Sequence, residues 1–178
     1  MKTNVMRTAL ATVLLAGMLA GCGDEPNPSN TSGGAALPDG LLLTAEPPDA
    51  RGIVSAMAAA KDGDEVTIRG RVGGRKAPFA AQRAMVALVD LSLPYCGQDT
   101  NDDHCSEPWD YCCEPKDRLS KHMVSVQVDG ANGKVLRAGL KGAGGIRELT
   151  ELVVRGVVRV DAMGGKTVHA TGIYVVPG

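Results

Sequence analysis

Four cysteines in one short stretch are the residues of this chain whose type and spacing could do chemistry. Cys96, Cys105, Cys112 and Cys113 lie within Pro94 to Asp117, PYCGQDTNDDHCSEPWDYCCEPKD, beside the only Trp, Trp109, and a run of acids. Thiols join as disulfides, bind soft metals as thiolates, or exchange electrons. An even number of cysteines in an exported chain reads first as two disulfides. A Cys112–Cys113 bond would need neighbouring Cα atoms to suit a link that ordinarily spans a wider gap. Cys96 and Cys105 are therefore expected each to pair with one member of the doublet, and the spacing leaves open which goes with which. On the chain-entropy model, closing about sixteen residues in this way stabilises by roughly 3 kcal/mol.

Two metal chemistries compete with disulfides. The cysteines with His104 could hold zinc or cuprous copper, but no C-x-x-C knuckle is present. The adjacent pairs His104-Cys105 and Cys112-Cys113 are also awkward on one ion. The acids suggest calcium instead: Asp99, Asn101, Asp103, Glu107 and Asp110 supply oxygen at spacings of an EF-hand-like frame. That frame has His104 where glycine should turn, Asp110 in place of a bidentate Glu, and no evident flanking helices. A redox role lacks a thioredoxin-like C-x-x-C. The plain alternative is a stapled, solvated acidic loop with no cofactor.

The chain's start bears on that choice. Lys2 and Arg7 precede an apolar run from Thr8 to Ala20, which ends at Leu19-Ala20-Gly21-Cys22. This order describes an export signal, too short for a comfortable membrane span. The small-small-Cys ending resembles the bacterial lipobox. That resemblance implies a signal peptide over residues 1 to 21, cleavage before Cys22, and acylation (palmitate among the chains) of Cys22 itself. Several acyl chains anchor stably. Gly23 after the Cys points, by the enterobacterial sorting rule, to the outer membrane, facing periplasm or cell surface. Without residues 1 to 21 the formal charge moves from -1 to -3, which argues against a nucleic-acid partner.

Elements able to position the cysteines follow. Residues 22 to 46 are rich in Gly, Pro, Ser and Asn and read as a flexible tether. The domain is placed at 47 to 178, with a Cys-rich insertion at 94 to 119. Ala50 to Lys61 reads as a short amphipathic helix with Asp49 as N-cap and Ile53, Met57 and Ala60 on one face. Strands are expected over 64 to 72, 84 to 91, 122 to 128 with a return over 134 to 140, 152 to 160, and 166 to 176. Gly70 marks a bend in the first strand, and Ile146 to Glu151 suits one or two helical turns. Glu65-Val-Thr-Ile-Arg-Gly-Arg-Val and Glu151-Leu-Val-Val-Arg-Gly-Val-Val echo one another, as two coiled strands of a small barrel would.

This order over residues 64 to 176 resembles an OB-fold, a mainly β Greek-key barrel of about five strands with a helix between the third and fourth. The insertion with PWDYCCEP also looks like a group of uncharacterised predicted bacterial lipoproteins, which brings no activity with it. The favoured expectation is a membrane-anchored envelope lipoprotein acting as a non-enzymatic binding or interaction module for an envelope protein or glycan. Metal binding by the Asp99 to Cys113 loop, and nucleic-acid or oligosaccharide binding, are the alternatives. For the last, Arg69, Arg71, Arg75, Lys76, Arg83 and Trp109 would form the ligand face, though the stacking aromatics are few. No catalytic constellation is recognisable, so a non-enzyme is expected. His169 in the last strand reads as an exposed edge residue or a ligand, a lone His being more often unremarkable, and His122, which flanks a strand, reads similarly.

Overall fold

A computed structural model describes residues 35–99 and 105–178. Everything described lies in one compact unit, Ser32–Gly178. Its elements are β1 (Arg51–Gly52), α1 (Ile53–Ala59), β2 (Glu65–Val72), β3 (Met85–Val89), α2 (Lys116–His122), β4 (Met123–Gln127), β5 (Glu151–Val160) and β6 (Lys166–Val175).

Five of the strands close a barrel in the order β2-β3-β4-β6-β5, with β5 returning to β2. The five expected barrel strands are present with their ends moved by at most a few residues. Alternation on β2 turns Ile68, Gly70 and Val72 inward, since successive side chains take opposite faces. The two echoing segments pair with each other, antiparallel, from Glu65 opposite Val157 to Arg71 opposite Glu151. Only Arg71 and Val72 of β2 reach β3. Upstream, the same edge of β2 is taken by β1, paired with Ile68 and Arg69. This change of partner is what a strongly coiled first strand does, and the parallel β4–β6 pair closes the wall. The architecture is the OB-like barrel expected.

The echoing glycines make two close approaches possible. A Cβ on Gly70 would lie 2.5 Å from Ile53 Cδ1, so its absence seats α1 on the barrel. A Cβ on Gly156 would lie 2.3 Å from the His169 carbonyl, where the β5–β6 register shifts. The core joins Ile68, Val72, Leu88, Val126, Leu152, Val154, Val168 and Ile173 with Ile53 and Ala56 from α1.

Several local expectations are corrected. The helix begins at Ile53 because Arg51 and Gly52 pair with β2, and Gly52, not Asp49, is its N-cap. The tether is shorter than 22 to 46: Leu41 is buried, Leu42 bridges Ile173, and Leu37 packs against the core. Residues 134 to 140 form no strand and make only an isolated bridge, Asp129 to Val135. In place of a helix at Ile146 there is a single 3-10 turn at Ala143–Gly145, because Gly142, Gly144 and Gly145 all take positive φ. The helix α2 was not foreseen. It carries one partly buried apolar residue, Leu119, and so no hydrophobic period. Pro115 before it, Asp117 in its first turn, and Lys121 and His122 in its last were the available signals.

The cap that α1 lacks comes from another element. Asp90, at the end of β3 and only 6% exposed, accepts the Val54 N–H at 2.9 Å and both the N–H and hydroxyl of Ser92. Burial pushes this carboxyl up, but the hydrogen bonds from Ser92 and Val54 outweigh it and hold it below its ordinary range. The stabilisation is therefore present above the ordinary carboxyl pKa and is lost as pH falls through the lowered one. Asp90→Ala is expected to cost about 2 kcal/mol in urea unfolding at neutral pH, and less near pH 3. A pH-independent difference would contradict the assignment.

Candidate metal centre

The segment between β3 and β4 folds around a core of its own. Val89, Leu93 and Tyr111 are buried together, with Tyr95, Leu119 and Met123 packed against them. Tyr111 is 1% exposed and adopts φ 55, a conformation a bulky residue holds only when its surroundings insist. The surroundings here are a pair of glycines after β2. A Cβ on Gly73 would stand 2.8 Å from the Tyr111 ring and 2.7 Å from the Trp109 carbonyl. The Gly74 N–H donates to that same carbonyl at 2.8 Å. The Trp109 indole N–H donates to the Lys76 carbonyl, and Lys76 pairs with Glu107 at 3.2 Å. Within the segment, the Cys96 N–H donates to the Pro108 carbonyl. Trp109 and Tyr111 thus fasten the segment to the barrel by different means.

This fastening brings the sulfurs of Cys96, Cys105, Cys112 and Cys113 within 4.8 Å of one another. Cys96 is buried at 6% exposure, Cys105 is intermediate, and Cys112 and Cys113 are exposed. Cys112 Sγ lies 3.8 Å from Cys96 Sγ and 2.8 Å from Cys105 Sγ. A disulfide needs about 2.05 Å, so these separations are not those of bonded pairs. Four sulfurs at about 2.3 Å around a tetrahedral zinc would be about 3.8 Å apart. The Cys96–Cys112 edge has that length, and Cys105 would withdraw by about 1 Å to complete the figure.

The thiols perturb one another. Burial pushes the Cys96 thiol up, but hydrogen bonds from Cys113, Cys105 and Cys112 outweigh it and bring it below its ordinary value. The partners move the other way. Hydrogen bonding to Cys112 and Cys96, with repulsion from both, pushes Cys105 up to about 12. Hydrogen bonding to Cys96 leads the causes that push Cys113 up to about 11. Cys96 is thus held down while Cys105 and Cys113 are held up. A bound divalent ion inverts that logic and deprotonates coordinating thiols outright.

Asn101, Asp103 and His104 lie outside the described residues. Of the remaining calcium set, Asp99 is exposed, Glu107 is engaged with Lys76, and the Asp110 N–H donates to the Glu107 carbonyl. Arg69 and Arg71 share the outward face of β2, opposite the inward Ile68, Gly70 and Val72. Arg69 is held between Glu151 and Glu46, and its hydrogen bond with Glu151 chiefly raises its pKa. Arg71 donates to Gln98 and lies 5.1 Å from the Tyr95 ring centre. Arg75 and Arg83 are exposed, and Arg83 borders an open cleft of about 950 Å³ with Lys134 and Arg137. His122 Nδ1 meets the Arg118 carbonyl.

His169 is less plain than its sequence suggests. Its Nδ1 lies 2.7 Å from Asp129 Oδ2, while Gln127 donates to Asp129 Oδ1 at 2.7 Å. The trio spans the parallel β4–β6 seam. No local spacing could reveal a pair whose members are forty residues apart, and likewise nothing marked Gly73 and Gly74 as the seat of Trp109 and Tyr111.

No protein-family model matches the chain, and no curated protein is detectably similar to it in sequence.

Proposed function

We propose that the chain is a non-enzymatic binding module of the bacterial envelope whose Cys loop holds one thiophilic metal ion, with zinc the best chemical fit. The convergence of four sulfurs within 4.8 Å carries this reading. Two disulfides would divide the sulfurs into separate bonded pairs. Here Cys112 stands near both Cys96 and Cys105, and the set surrounds one point. All-thiolate tetrahedral donors suit zinc and exclude hard cations such as calcium from this position. The ion would tie a long inter-strand segment to the barrel, as a disulfide staple would, while leaving the cysteines reversible ligands. The purified chain is expected to contain one zinc per molecule and a mass at the fully reduced value. A mass four hydrogens lower, with no metal and no metal uptake after reduction, would overturn the reading.

The envelope address rests on Lys2, Arg7 and the Leu19 to Cys22 ending, which lie outside the described residues. Cys22→Ala is expected to move the protein from the membrane fraction to the soluble one, because the acyl chains supply the anchor. Unchanged membrane partition would remove lipid anchoring from the account.

A further inference from the structure

We propose that Cys112 is a thiol–disulfide exchange site with Cys105 as its resolving partner, so that an accessible disulfide is the substrate class and release of the ion the consequence. The inference rests on the metal reading and deepens it. It starts from the inequality of the four sulfurs. Cys96 is buried beneath the segment, whereas Cys112 is open to solvent. Cys105 and Cys112 are 2.8 Å apart, so an approach of about 0.8 Å brings them to bond length. Cys96 is 3.8 Å from Cys112 and would have to leave its buried position to compete. Cys113 is disfavoured as the resolving group because it is the immediate chain neighbour of Cys112. Cys113 instead hydrogen-bonds Cys96, which leaves an inner pair when the outer pair closes.

The steps balance. The Cys112 thiolate attacks one sulfur of the incoming disulfide, forming a mixed disulfide and breaking the substrate's S–S bond, and the first substrate thiolate departs. The Cys105 thiolate then attacks Cys112 Sγ, forming the Cys105–Cys112 bond and expelling the second substrate thiolate. Two electrons pass from the protein sulfurs to the substrate sulfurs, and the departing thiolates take two protons from solvent. The ion would be left with two of four ligands and would depart as the divalent aqua ion, and Cys96 and Cys113 would take up two further protons from solvent.

Zinc-loaded protein mixed with oxidised glutathione tests this, with a chromogenic zinc chelator reporting release and peptide mass mapping locating the bond. One zinc is expected to leave per disulfide formed, and the bond is expected to join Cys105 to Cys112. Reduction should restore zinc binding. Cys105→Ser should trap glutathione on Cys112 and slow formation of any internal disulfide at least tenfold. A first bond between Cys112 and Cys96, or oxidation that leaves zinc in place, would overturn the exchange site alone. Failure of the fully reduced protein to bind zinc would overturn the metal reading with it. Zinc binding without glutathione sensitivity would leave the metal reading standing and sink this one.

Discussion

Cys96→Ser is expected to weaken zinc binding by more than about a hundredfold, because losing even an outer-sphere partner of a ligand typically costs 10–100-fold. Cys96 is the ligand with the most to lose: it is buried, and its N–H holds the Pro108 carbonyl. The consequence should stay local. The barrel core and the core under the loop are separate clusters that meet at Val89 of β3 and Met123 of β4, so β2 to β6 keep a core of their own when the loop opens. Hydrogen exchange should therefore rise sharply over residues 91 to 121 while the barrel strands remain protected. Adding a chelator to the unaltered protein should give the same pattern. Uniform loss of protection throughout would show that loop and barrel unfold as one unit, and an unchanged zinc content would remove Cys96 from the ligand set.

The second large effect is at Tyr111. Removing a buried aromatic ring costs about 3–5 kcal/mol, so Tyr111→Ala should destabilise the loop by that order. The ring fills the space that Gly73 leaves open, and it is the largest fully buried side chain of the small core. Its hydroxyl is a different matter. It is buried and has no hydrogen-bond partner among the described residues, although Arg71 lies near enough to draw the phenol's pKa down against a larger upward push from burial. A buried hydroxyl without a partner contributes nothing that Phe would lose. Tyr111→Phe should leave thermal stability unchanged or slightly raised, which separates the ring's role from the oxygen's. A large loss in the Phe variant would mean that the Arg71 interaction carries weight after all.

Much of the barrel was legible because its determinants are local. Alternation over Glu65–Val72 and Met123–Gln127 assigns the inward faces, and the echo between the Glu65 and Glu151 segments marked the two strands that pair along their length. Where a structural cause was distant, local reading failed. The α1 cap is Asp90, thirty-six residues from the N–H it satisfies. The tether's Leu41 looked like spacer because nothing nearby shows that Ile173 will hydrogen-bond its carbonyl. The helix α2 went unseen because it packs with one leucine and is placed by the loop's own core.

At the cysteines, the chain by itself determined the inventory: four thiols, two of them adjacent, in a segment too long to be ordered without some fastening. It also supplied the adjacent residues, Trp109 and Tyr111, that anchor them. What the tertiary structure alone decided is that all four sulfurs meet. Spacing along a chain says how far apart residues can be, and adjacent cysteines seemed poor ligands for one ion on that basis. Their directions are decided by Tyr111 turning under Gly73 and Trp109 bonding across Gly74 and Lys76. Those contacts are made by the loop that follows β2. They convert a disulfide pattern in one dimension into a four-sulfur centre in three.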